Sequence, residues 1–143
     1  MKLLAAISHH GLNHLAQTAP VLNALGHLLP ELELTIWSGL PASALSGQIQ
    51  SPFRHRHEPA DMGLIMEDAL NVATSASHAA LLEFHRDWPT RLTGETAWLT
   101  AEGFGAVFSD IAYLPLAAAA QAGVPGLGLC SLNWRDIYAS YLS

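Results

Sequence analysis

The sequence predicts an α/β fold: a Rossmann-like parallel sheet with helices on both faces. Three observations predict it. Short apolar runs, such as Leu3-Leu4-Ala5-Ala6-Ile7 and Gly105-Ala106-Val107-Phe108, have the length and continuity of strands buried on both sides. Helix-patterned segments separate these runs, and strand–helix alternation builds parallel sheets. Half of the 143 residues are apolar and 13% are charged, which suffices for one buried core.

Each element follows in order. Leu3 to Ser8 is the first strand. A helix comes next, carrying Leu22, Leu25 and Leu29. Pro20 is tolerable in a first turn, which makes Thr18 the N-cap; otherwise Asn13 caps a helix that kinks at the proline. Leu32 to Trp37 alternates and reads as the second strand. "SGLPASALSG" is turn-rich, with one helical turn. Phe53 to Glu58 is a third strand near the sheet edge, because it carries Arg54, His55, Arg56 and His57. Ile65 to Ala101 is helical in pattern and broken near Trp88-Pro89. Gly105 to Ser109 is a buried strand, Ala117 to Gln121 an alanine-rich helix ended by Gly123, and Val124 to Cys130 a further strand. Asn133 to Leu142 starts a last helix. It reaches Ser143 without a C-cap glycine, which predicts that residues 1–143 are one half of a longer protein.

Several function classes drop out. The net charge is -6 and Lys2 is the only lysine, so the chain lacks the electrostatic footprint for nucleic acid or anionic lipid. No apolar stretch approaches the ~20 residues of a membrane span. A single cysteine, Cys130, makes no internal disulfide, which fits a reducing, cytoplasmic setting.

In open parallel sheets, ligands bind beyond the carboxyl ends of the strands. The loop "SHHGLNH" after the first strand, Asp110 after the fourth, and Ser131-Leu132-Asn133-Trp134 after the fifth fall there; "HEPADMG" after the third joins them. If strands one and four are neighbours, His14 and Asp110 meet. An imidazole takes a proton from a hydroxyl, and a carboxylate fixes its tautomer. Helix capping is the competing role for both residues. His10 and His14 have a helical metal-ligand spacing, with His9 as a third group, but Gly11 and Asn13 make the segment a loop with no cysteine or acidic cluster nearby, so no metal is expected. His55 and His57 share one side of an edge strand, while His27, His78 and His85 read as helix-surface residues. No dinucleotide fingerprint or phosphate loop is present, and no cofactor is expected. Trp37 and Phe108 read as core, Trp88 and Trp98 as helix packing. Trp134, Tyr138 and Tyr141 are expected either at a surface for a partner domain or homodimer, or packed on their own sheet.

"HGLNHLAQ" resembles the loop that opens the N-terminal domain of GT-B glycosyltransferases, and "VFSDIAYLPLAAAAQAGVPGLGL" resembles a later strand–Asp–helix–strand block of that superfamily. "LNWRDIYASYL" and "DMGLIMEDALNVATSAS" are similar to the glycosyltransferase-like N-terminal region of plant L-arabinokinases and their bacterial relatives. The resemblance implies an acceptor-side domain whose nucleotide-sugar donor is held mainly by a C-terminal domain absent from this chain. It implies transfer of a sugar to a hydroxyl acceptor, with His14 as base, Asp110 as its orienter and His10 as the next catalytic candidate. Gly11, Asn13, Asp61, Asn133 and Trp134 are the substrate-binding candidates. Asn13 and Gln17 stand where the loop usually has glycine and arginine, and Gln17 removes a charge. A non-catalytic sugar- or nucleotide-binding module is the alternative.

Overall fold

A computed structural model describes residues 1–142. Five strands, β1 (Lys2–Ile7), β2 (Glu33–Trp37), β3 (Phe53–Arg56), β4 (Ala106–Asp110) and β5 (Gly126–Leu129), form one sheet in the order β3-β2-β1-β4-β5. All four pairings are parallel. The helices are α1 (Asn13–Leu28), α2 (Ala42–Ser46), α3 (Thr74–Arg86), α4 (Trp88–Glu102), α5 (Tyr113–Ala122) and α6 (Trp134–Leu142).

The first strand shows why the sheet needs cover on both faces. Successive side chains of a strand point to opposite faces. Leu3, Ala5 and Ile7 pack with Leu15, Ala19 and Leu22 of α1. Leu4 and Ala6 pack on the opposite side with Leu99 of α4 and Leu114 and Ala118 of α5. Fully burying a leucine is worth roughly 1.5–3 kcal/mol, so both faces of β1 contribute to stability. Trp37 is buried, stands edge-on to Trp98, and takes the Arg56 guanidinium on its ring at 3.9 Å. Arg56 also pairs with Glu95, which ties β3 to α4.

Four boundaries differ from the sequence expectation. Helix α1 begins at Asn13, and the N-cap position falls on Leu12 with no side-chain cap, so neither Thr18 nor Asn13 caps it. Pro20 sits in the helix interior, where it removes a backbone donor. Residues 65–73 are not helical: Met66 bridges Val72, and Asp68 accepts the Leu70 and Asn71 amides in a turn. An Asx turn of this kind competes with the helix, which starts only at Thr74. Helix α5 begins at Tyr113, and Asp110 is not its N-cap. The edge strand β5 spans only Gly126–Leu129 of the expected Val124–Cys130 and is largely exposed. The expectation for Ser143 lies outside the described residues. No helix among the described residues is long and apolar enough to cross a membrane.

Candidate functional site

Strands β1 and β4 are neighbours, with Ile7 opposite Asp110 in the register. The chain therefore leaves β1 beside the end of β4. Gly11, at φ +93°, turns the intervening loop so that α1 starts at Asn13 with His14 in its first turn. His14 Nδ1–H donates to Asp110 Oδ1 at 3.0 Å. Thr18, one turn further along α1, donates its hydroxyl to Asp110 Oδ2 at 2.9 Å. Asp110 is fully buried, while the His14 side chain retains 19% exposure. Both carboxylate oxygens are thus engaged, the tautomer is fixed, and Nε2 of His14 is left for a substrate. Ile111, directly after Asp110, holds φ +68°. A β-branched residue there is strained, so surrounding packing holds the bend that presents Asp110.

A second carboxylate lies on the same rim. Asp61, in the segment after β3, is 2% exposed. It accepts from Ser8 Oγ at 3.1 Å and from Trp134 Nε1 at 2.7 Å. Burial pushes its carboxyl above the ordinary range, opposed by the Trp134 and Ser8 hydrogen bonds. His9 Nδ1 stands 3.7 Å from Asp61 Oδ1 and, although buried, has no hydrogen-bond partner. Tyr138 donates to the Gly63 carbonyl at 3.2 Å, a second tie between α6 and this segment.

His10 lies within the influence of Asp61. Its backbone N–H donates to Ser8 Oγ, its ring meets Trp134 edge-on at 5.5 Å, and burial lowers its pKa while Asp61 opposes that. Gly63, at φ +68°, passes so close that a Cβ there would lie 3.3 Å from His10 Nδ1. His10, Asn13, His14, Gln17, Asp110 and Trp134 are among the residues that line a cavity of about 330 Å3. A larger cavity of about 680 Å3 adjoins it, and Ile111, Cys130 and Trp134 belong to both walls.

The structure therefore brings His14 and Asp110 together, with His10 and Asn13 at the same cavity. Asp61 lines neither cavity; its oxygens hold Ser8 and Trp134. Trp134 is 2% exposed and packed among the described residues, whereas Tyr141 is 51% exposed. Asn133 lines the larger cavity and caps α6, accepting the Asp136 amide at 3.0 Å. Among the described residues no three histidine, cysteine, aspartate or glutamate side chains converge as a metal site requires. Ser8 and Ile111 have no marked role in the sequence, and Thr18 stands there only as a helix-cap candidate, not as a partner of Asp110. The spacing of Thr18 from His14 is the one usable signal, since residues four apart share a helix face.

No family model matches the sequence. The chain is 28% identical over 141 residues to L-arabinokinase of Arabidopsis thaliana, covering 95% of this chain and 13% of that protein. It superposes on a UGT transferase from Siraitia grosvenorii in complex with UDP, with TM-score 0.55 and 15% identity, over 90% of this chain and 27% of that one. It also superposes on CalG4, the calicheamicin glycosyltransferase, with TM-score 0.54 and 15% identity, over 97% of this chain and 36% of that one. The fold is that of one half of a GT-B glycosyltransferase. The chain spans a minor part of each of these proteins.

Proposed function

We propose that residues 1–143 are the acceptor-side domain of a glycosyltransferase, whose nucleotide-sugar donor is held by a C-terminal domain outside this chain. The observation that carries this reading is the His14–Asp110 pair at 3.0 Å, on the wall of an open cavity. His14 Nε2 takes the proton of the acceptor hydroxyl as the acceptor oxygen bonds to the anomeric carbon. The bond from that carbon to the diphosphate breaks, and the nucleoside diphosphate leaves. Asp110 holds the imidazole tautomer and stabilises the imidazolium, while Thr18 holds Asp110. The UDP bound in the Siraitia neighbour supports a nucleotide-sugar donor. The displacement uses no cofactor, and the single cysteine suits the cytoplasm. The test is a transfer or donor-hydrolysis assay on the full-length protein and its His14→Ala variant; equal rates would remove the assigned base.

A second reading is a sugar- or nucleotide-binding module without transfer. It is favoured by the sequence likeness to L-arabinokinase and by Gln17 lining the cavity where the family loop carries a cation. Calorimetry with UDP-sugars and free sugars separates the two: tight binding with no turnover supports the module.

A further inference from the structure

Among the described residues, five backbone positions take a positive φ. Four are glycines, Gly11, Gly63, Gly103 and Gly123, for which the left-handed region carries no Cβ penalty. The fifth is Ile111, at φ +68°. A β-branched side chain is among the least tolerated there. The one departure from glycine stands directly after Asp110.

The local chain explains why a bend is needed. Asp110 is the last residue of β4, held in register between Ile7 of β1 and Leu129 of β5. Helix α5 starts at Tyr113, so only Ile111 and Ala112 carry the chain from strand to helix. Ala112 is fully buried in extended backbone, at φ -65° and ψ 121°, and Leu114 and Pro115 are buried in the first turn of α5. Ser109 Oγ donates to the Ala112 carbonyl at 2.6 Å and closes the bend. Both ends are fixed, so the reversal falls on Ile111. Glycine would make the reversal without strain, but its left-handed well is broad, whereas that of an L residue is narrow. The half-buried Ile111 side chain stands in the wall of both cavities, and that packing resists a return to ordinary φ.

We infer that Ile111 is a positioning residue: its strained, narrow backbone well fixes the direction in which Asp110 meets His14. Strain is stored where a geometry must be held, and here it borders the carboxylate that orients the imidazole. The consequence for turnover rests on the transfer reading; the aim of Asp110 is read without turnover.

Ile111→Ala and Ile111→Gly in the full-length protein separate backbone from side chain. Both remove the contact with the cavities, and only glycine also frees the backbone. The first measurement is the ring N–H resonance of His14 in protein labelled with 15N at histidine, identified by its absence from His14→Ala. The others are thermal melting and the kcat and KM of transfer. Ile111→Ala is expected to keep the resonance and a kcat close to that of wild type. Ile111→Gly is expected to melt at or above Ile111→Ala, yet to broaden or lose the resonance and to lower kcat about tenfold or more, with KM nearly unchanged. A role in stability alone would instead make turnover follow the melting order. Glycine melting below alanine would mean that residue 111 is unstrained, and equal resonances or equal kcat values in the two variants would leave Ile111 as cavity wall only. Each of these results overturns the inference. If His14→Ala turns over as wild type does, the base assignment falls, and the resonance and melting comparison alone decides the role of Ile111.

Discussion

Two buried carboxylates stand on one rim of this sheet, each beside a histidine, and they are built differently. Asp110 receives His14 Nδ1 at 3.0 Å and Thr18 Oγ at 2.9 Å. Asp61 receives Trp134 and Ser8, and Nδ1 of its histidine neighbour, His9, is 3.7 Å away and makes no hydrogen bond. At Asp110 the carboxylate serves an imidazole that reaches a cavity. At Asp61 it serves an indole and a hydroxyl that join α6 to the end of β1. Similar residue types therefore divide into a group that orients an imidazole at a cavity and a group that holds the wall around it. The partner decides which: an imidazole has a second nitrogen to present, and an indole does not.

The comparison breaks most directly at His14. On the proposed transfer reading, His14→Ala in the full-length protein is expected to lower kcat by about 10²–10⁴-fold, the usual worth of a general base, with donor affinity unchanged. Steady-state kinetics with separate donor-binding measurements checks this. Asp110→Asn is expected to lower kcat while leaving the protein folded, because an amide still pairs with Thr18 but presents the wrong partner to the imidazole. If Asp61→Asn lowers kcat as far as Asp110→Asn does, the division between the two carboxylates fails.

At Asp61 the expected loss is in stability. Asp61→Ala leaves the buried Trp134 indole N–H without an acceptor, at a cost of about 1–3 kcal/mol in chemical denaturation. Asp61→Asn keeps an acceptor and removes the titration. The sign follows from burial, which raises the Asp61 pKa in the folded state. As pH climbs from the ordinary carboxylate range towards the raised value, the unfolded chain ionises first, so stability from this group is present at low pH and is lost on the way up. Denaturation midpoints of wild type across the acidic range are expected to fall with pH more steeply than those of Asp61→Asn. A parallel pair of curves would mean that Asp61 titrates as it does unfolded.

The Asp110 side of this comparison was legible in the sequence, and the Asp61 side was not. Apolar runs and alternation are enough to place strands, and strand ends in a parallel sheet collect ligand residues, so His14 and Asp110 follow once β1 and β4 are neighbours. Pro20 points to a helix start capped at Thr18, with Asn13 as the alternative, whereas the N-cap position is Leu12, six residues before Thr18, and the helix accommodates the proline. The reading of 65–73 as helix weighed apolar content and missed the turn at Asp68. Asp61 falls in the rim segment "HEPADMG", which marks it as a substrate-binding candidate but gives no sign of its burial. Its burial depends on Trp134, 73 positions away, and no local pattern reports a contact at that range. The positive φ of Ile111 also carries no sequence signal, since the residue type argues against it.

Gly63 offers a smaller perturbation on the Asp61 side. Gly63→Ala forces an L residue into the left-handed region, at about 1–2 kcal/mol, and brings a Cβ within 3.3 Å of His10 Nδ1. The dyad is untouched, so stability is expected to fall with little change in the pH profile of turnover.

The smallest effect links the two carboxylates through His10. Burial lowers its pKa, and the charge on Asp61 opposes the shift. A lowered folded pKa means that the unfolded chain takes up the proton first as pH falls. Stability from His10 is therefore present above the ordinary histidine range and is lost as pH drops through it. Asp61→Asn removes the opposing charge, so His10 is expected to titrate lower still in that variant, while Asp110→Asn leaves it nearly unmoved because Asp61 is the carboxylate that acts on it. Histidine ring-proton shifts followed by NMR against pH read both variants directly. A larger displacement of His10 in Asp110→Asn than in Asp61→Asn would place it in the electrostatic territory of the dyad and make it a second proton-handling group rather than a member of the wall.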